Sequence, residues 1–67
     1  MKTKCFLLTV HFEHIPKHTY LFYDLHPVIE CVNYIKRTKP SLRINLIRKE
    51  LTYEQCEVVL STGQLPI

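Results

Sequence analysis

Between Lys4 and Glu13 the chain alternates with period two. Phe6, Leu8, Val10 and Phe12 form an unbroken apolar set, and Cys5, Leu7, Thr9, His11 and Glu13 stand between them. Successive side chains of an extended strand point to opposite sides, so this spacing specifies a strand with one fully buried face. The other face is only half polar, because Cys5 and Leu7 lie on it. That predicts a central strand, or one partly covered by another element.

The rest of the chain supplies partners for this strand. Residues 14–18 carry turn signals, with Pro16 fixing its own φ and withdrawing a ladder donor. Thr19 to Tyr23 is rich in β-formers, which predicts a hairpin over 3–23. From Asp24 the period becomes helical: Leu25, Val28, Val32 and Ile35 recur at spacings of three and four, opposite Glu30, Asn33 and Arg37. Pro27 suits a first turn, Asp24 or His26 can cap the free amides, and Pro40 ends the helix, giving 25–38. Period two returns over 41–49, with Leu42, Ile44 and Leu46 toward the core and Arg43, Asn45, Ile47 and Lys49 facing away. Thr52 and Gln55 have capping-box spacing, Leu51 and Cys56 can form a hydrophobic staple, and Gly63 is placed as a left-handed stop, giving a helix over 52–62.

These elements predict one small globular domain, 1–67, of α+β class. The expected architecture is a small two-layer sandwich in ββαβα order, a three-stranded sheet with two helices packed on one face. A right-handed crossover through the first helix leaves the third strand parallel to the second or to the first. One sheet face would stay open, carrying Leu7, Thr9, His11, Leu21 or its neighbours, Arg43, Asn45 and Ile47.

At 67 residues such a domain sits near the lower limit for folding alone, so its core must be dense. The 46% hydrophobic content supplies one. Three cysteines is an odd count with no close spacing, which argues for buried reduced thiols rather than a disulfide framework. The longest apolar run, Cys5 to Leu8, is far too short to span a membrane, and no sustained apolar segment resembles a signal peptide. A soluble cytoplasmic protein without a membrane partner is expected. Self-association is then the leading extra source of stability.

Six of the nine basic residues, Lys36, Arg37, Lys39, Arg43, Arg48 and Lys49, fall in one acid-free stretch, and the segment after it carries only Glu50, Glu54 and Glu57. The basic stretch is a candidate nucleic-acid interface, able to neutralise several phosphates with Tyr20, Tyr23 or Tyr34 as stacking faces. Against this, cations at a helix end complement its dipole and cations on a strand guard an edge, which leaves Arg43, Arg48 and Lys49 to explain. The acidic second helix gives a competing protein interface made of Leu7, Thr9, His11, Arg43, Asn45, Ile47, Glu54 and Glu57, suited to a charged partner or a second copy.

Enzyme readings are weaker. His11, His14 and His18 with Glu13 could contribute to a metal site or a histidine-based nuclease, but no Cys-x-x-Cys supports them and strand alternation separates the first two. The only glycine is Gly63, so there is no phosphate loop. The sequence reads as a non-enzymatic interaction module needing no metal or cofactor. It would bind a protein partner or itself, with nucleic acid as the alternative and a small nuclease as the second. Its size is compatible with a phage or mobile-element regulator or inhibitor.

Overall fold

The computed structural model describes residues 1–65, so the last two residues of the expected domain lie outside the described residues. Its elements are β1 (Lys2–His11), β2 (His18–Phe22), α1 (Leu25–Thr38), β3 (Arg43–Thr52) and α2 (Tyr53–Thr62). The α+β class, the ββαβα order and the three-stranded sheet are those the sequence predicts. The alternating segment is the central strand of a β2-β1-β3 sheet, antiparallel to both neighbours. β3 therefore runs parallel to β2, with β1 between them and α1 as the crossover.

The placement of the helices corrects the expectation of one helical face. On one side of the sheet, Leu8 and Val10 pack with Val28, Val32 and Ile35 of α1. On the other, Cys5 and Leu7 pack with Leu51 and with Cys56 and Val59 of α2. Neighbours in β1 point to opposite sides, so the helices cover opposite faces and the molecule has three layers. The cause is the half-polar side of β1. Cys5 and Leu7, extended by Leu21 and Ile47 on the flanking strands, form too much apolar surface to leave wet, at about 1.5–3 kcal/mol for each large side chain buried.

Local signals explain where the elements begin and stop. Asp24 has the extended backbone of an N-cap, but its side chain makes no cap bond, and His26 instead reaches Glu30 one turn on, at 2.9 Å. α1 closes with the Lys39 amide donating to the Ile35 carbonyl at 2.8 Å, just before Pro40. In α2 the Gln55 amide donates to Thr52 Oγ1 at 3.2 Å, and the Thr52 amide donates to Gln55 Oε1 at 2.9 Å. This is the reciprocal capping box the spacing predicts. Gly63 takes φ 70° and returns its amide to the Val59 carbonyl. β3 extends to Thr52, beyond the expected 41–49 segment, and Ile47 packs inward against the α2 cluster.

All three cysteines are free thiols, two of them buried. Cys5 Sγ lies 3.8 Å from Cys56 Sγ across the α2 face. Burial first, and the neighbouring thiol second, push the Cys5 pKa above its ordinary 9.0.

Candidate protein-binding edge

The two edges of the sheet can be compared amide by amide. Thr19 of β2 donates its N–H to the Gly63 carbonyl at 2.7 Å, so its backbone points away from β1. Thr9 and Thr19 are then a non-hydrogen-bonded pair, the closer kind, and their hydroxyls meet at 2.9 Å. A central antiparallel strand bonds alternately to left and right, so Thr9 bonds to Asn45 on its other side. Asn45 faces inward, and the outward amides of β3 belong to Ile44, Leu46, Arg48 and Glu50. Thr52, the next in that series, agrees: its amide serves Gln55 rather than β1.

The β2 edge is short and tied off at Lys17 and Thr19. α2 starts at the end of β3, crosses the sheet diagonally and finishes beside β2, where Gly63 accepts from Thr19 and Gln64 Nε2 donates to the Lys17 carbonyl at 3.0 Å. The His18 ring lies directly over Gly63, so close that an added Cβ would clash with it. The β3 edge is twice as long, ten residues against five, and open. Among the described residues no group bonds the outward amides of Ile44, Leu46, Arg48 and Glu50.

Side chains on this open strand divide by parity. Arg43, Asn45 and Lys49 share the α2 side, and all three are exposed. Ile44, Leu46 and Arg48 share the α1 side, where Leu46, expected in the core, is 42% exposed. The α1 flank bearing Cys31, Tyr34 and Thr38 lines a cavity of about 330 Å³ with Tyr20 of β2. The opposite flank, Leu25, Ile29 and Val32, therefore turns toward β3. Leu25 and Ile29 are 49% and 45% exposed. An apolar shelf thus lies on the flank of α1 away from β2.

The expected site residues separate accordingly. Leu7 and Thr9 are buried beneath α2 and do not belong to a surface, because the face assigned to them carries a helix. Ile47 is half-buried there. His11, Arg43 and Asn45 remain exposed at the far end of β3, and Glu54 and Glu57 lie on the outer side of α2. The Glu57 carboxylate beside the Tyr53 hydroxyl holds that phenol above its ordinary range.

The basic residues form two groups rather than one. Lys36, Arg37 and Lys39 end α1, with Lys39 beside Glu13 and His14. Arg48 and Lys49 gather with Lys4 and Glu50 around a surface hollow toward the other end of the sheet. At about 3.3 Å per residue, Arg43 and Lys49 are about 20 Å apart along β3. Tyr20 packs against His18 with ring centroids 4.5 Å apart, on the opposite edge strand from these cations.

Among the described residues no lysine or arginine forms an ion pair; the two acid contacts are His14 with Glu13 and His26 with Glu30. No group of three or more His, Cys, Asp or Glu is placed to hold a metal ion among the described residues. No described helix is long and apolar enough to cross a membrane.

The outward amides and the shelf are what sequence reasoning missed. Leu25 and Ile29 at i, i+4, with Ile29 outside the stripe of Leu25, Val28, Val32 and Ile35, were the available signal for the shelf. No protein-family model, curated protein or solved structure matches this chain.

Proposed function

We propose that this chain is a non-enzymatic interaction module that receives an extended segment of a partner protein along β3. The observation that carries this reading is the asymmetry of the two edges: β2 is tied off by the end of α2, whereas Ile44, Leu46, Arg48 and Glu50 of β3 present outward amides without a partner among the described residues. Strand addition uses such an edge directly, with main-chain bonds giving affinity and alternate side chains giving selectivity. Self-pairing of β3 is disfavoured by its own charge. Arg43, Arg48 and Lys49 against Glu50 leave the strand at +2 (three minus one), and a two-fold contact would oppose two such strands. The division of the basic residues into two groups, rather than one continuous patch, favours a protein over a nucleic acid. By occupying its partner's segment, the module would act as a regulator or inhibitor, in a reducing cytoplasm where its cysteines stay as thiols.

The test exploits the outward amide of Arg48. Arg48→Ala removes the charge and keeps the N–H, whereas Arg48→Pro removes both without touching the β1 ladder. A protein retained from nuclease-treated lysate by the wild type and by Arg48→Ala, and lost with Arg48→Pro, is the expected result. Retention that vanishes on nuclease treatment, or that Arg48→Pro leaves intact, overturns the reading.

A further inference from the structure

We infer that the strand received by β3 alternates apolar and acidic residues, with its apolar side over α1 and its acidic side over Arg43 and Lys49; this rests on the β3-edge reading above. The argument is one of parity. A strand added to β3 continues the sheet, so its side chains divide between the same two faces as those of β3. On the α1 side it lies next to Ile44 and Leu46, before the charged Arg48 and Glu50 on the same face, with Leu25 and Ile29 on the exposed helix flank. Leu25, Ile29 and Leu46 are each between two-fifths and one-half exposed, and an apolar side chain laid over them removes that surface from water. On the other side it lies next to Arg43, Asn45 and Lys49, all exposed and none paired with an acid among the described residues.

Cross-strand neighbours of opposite charge stabilise a sheet and like charges directly opposite destabilise it. An incoming carboxylate beside Arg43 or Lys49 therefore gains what a lysine there would lose. The two requirements fall on alternate residues, which makes the partner segment an amphipathic strand. A uniformly acidic tail satisfies only one side of it. A polyanion such as nucleic acid supplies charge, but neither main-chain bonds nor an apolar row.

The probes are four: a blocked seven-residue peptide alternating aspartate and valine, the same composition with the aspartates and valines in separate blocks, a lysine–valine alternating peptide, and a single-stranded oligonucleotide. Binding is followed by amide chemical shifts and hydrogen exchange of the wild-type chain. The alternating acidic peptide is expected to bind at least tenfold more tightly than the other three. It should slow exchange at Ile44, Leu46, Arg48 and Glu50, and lose that protection in Arg48→Pro.

Equal binding of the peptide with its aspartates and valines in separate blocks, or stronger binding of the oligonucleotide, reduces the edge to a charge patch and overturns the inference. So does binding of the lysine peptide at equal strength, or no binding of any peptide. If none binds while a lysate protein is still retained in an Arg48→Pro-sensitive manner, the strand-addition reading survives and this pattern alone fails.

Discussion

The two edges of this sheet belong to strands that run in the same direction beside one central strand, yet they end differently. β2 is five residues long and is met at Thr19 by the Gly63 carbonyl. β3 is ten residues long and is guarded only by charge. The difference follows from the path of α2, which leaves β3 at Thr52 and spends its length reaching β2. One helix can close only one edge of a three-stranded sheet, and a left-handed glycine at its end fixes which. Exposed edges invite pairing with other chains, and charged side chains are one of the few defences that leave the backbone accessible.

The comparison breaks most severely where both edges depend on the same layer. Leu7 lies under α2 on the central strand, so Leu7→Ala is expected to cost about 2–5 kcal/mol in chemical denaturation. A variant of unchanged stability would return Leu7 to the surface and undo the three-layer assignment. Gly63→Ala attacks the closed edge alone. A left-handed residue with a Cβ costs about 1–2 kcal/mol, and the His18 ring must also move. Exchange of the Thr19 amide should accelerate beyond the global loss of stability.

Thr52→Ala removes the side-chain acceptor that starts α2 and should cost about 1 kcal/mol by thermal unfolding. The sharpest contrast is the smallest effect. Arg48→Ala on the open edge should change stability by no more than about 0.5 kcal/mol, because its side chain has no ion-pair partner among the described residues.

The α2 layer also gives the molecule a pH signature. Cys5 keeps its proton in the folded chain at pH values where the unfolded chain has lost it, because its pKa is raised above 9.0 by burial and by Cys56. The stability contributed by this group is complete below pH 9.0 and declines as pH rises through the folded value. In Cys5→Ser, denaturant midpoints should lose that component of the alkaline decline.

Much of the fold was legible because it rests on local chemistry. The alternation from Phe6 to Phe12, the capping box at Thr52 and Gln55, and Gly63 as a stop each act within a few residues. The side on which α2 packs was not legible, since it depends on how Leu21 of β2 and Ile47 and Leu51 of β3 add to Cys5 and Leu7 once the register is set. The same limit hid the site. Arg43 and Lys49 could be placed on one face of a strand from their spacing, but nothing in the sequence says that Ile44, Leu46, Arg48 and Glu50 turn their amides outward. That follows from a bond between Thr19 and Gly63, 44 positions apart by their numbers, which is a property of the closed structure.

The order of elements gives α2 one more consequence. It is synthesised after every strand it covers, so a growing chain displays Cys5, Leu7, Leu21 and Ile47 as an uncovered apolar face until Val59 and Gly63 have left the ribosome. From the emergence of β3 until α2 docks, this face is open to mispairing, and the positive charge of β3 is already in place to discourage it.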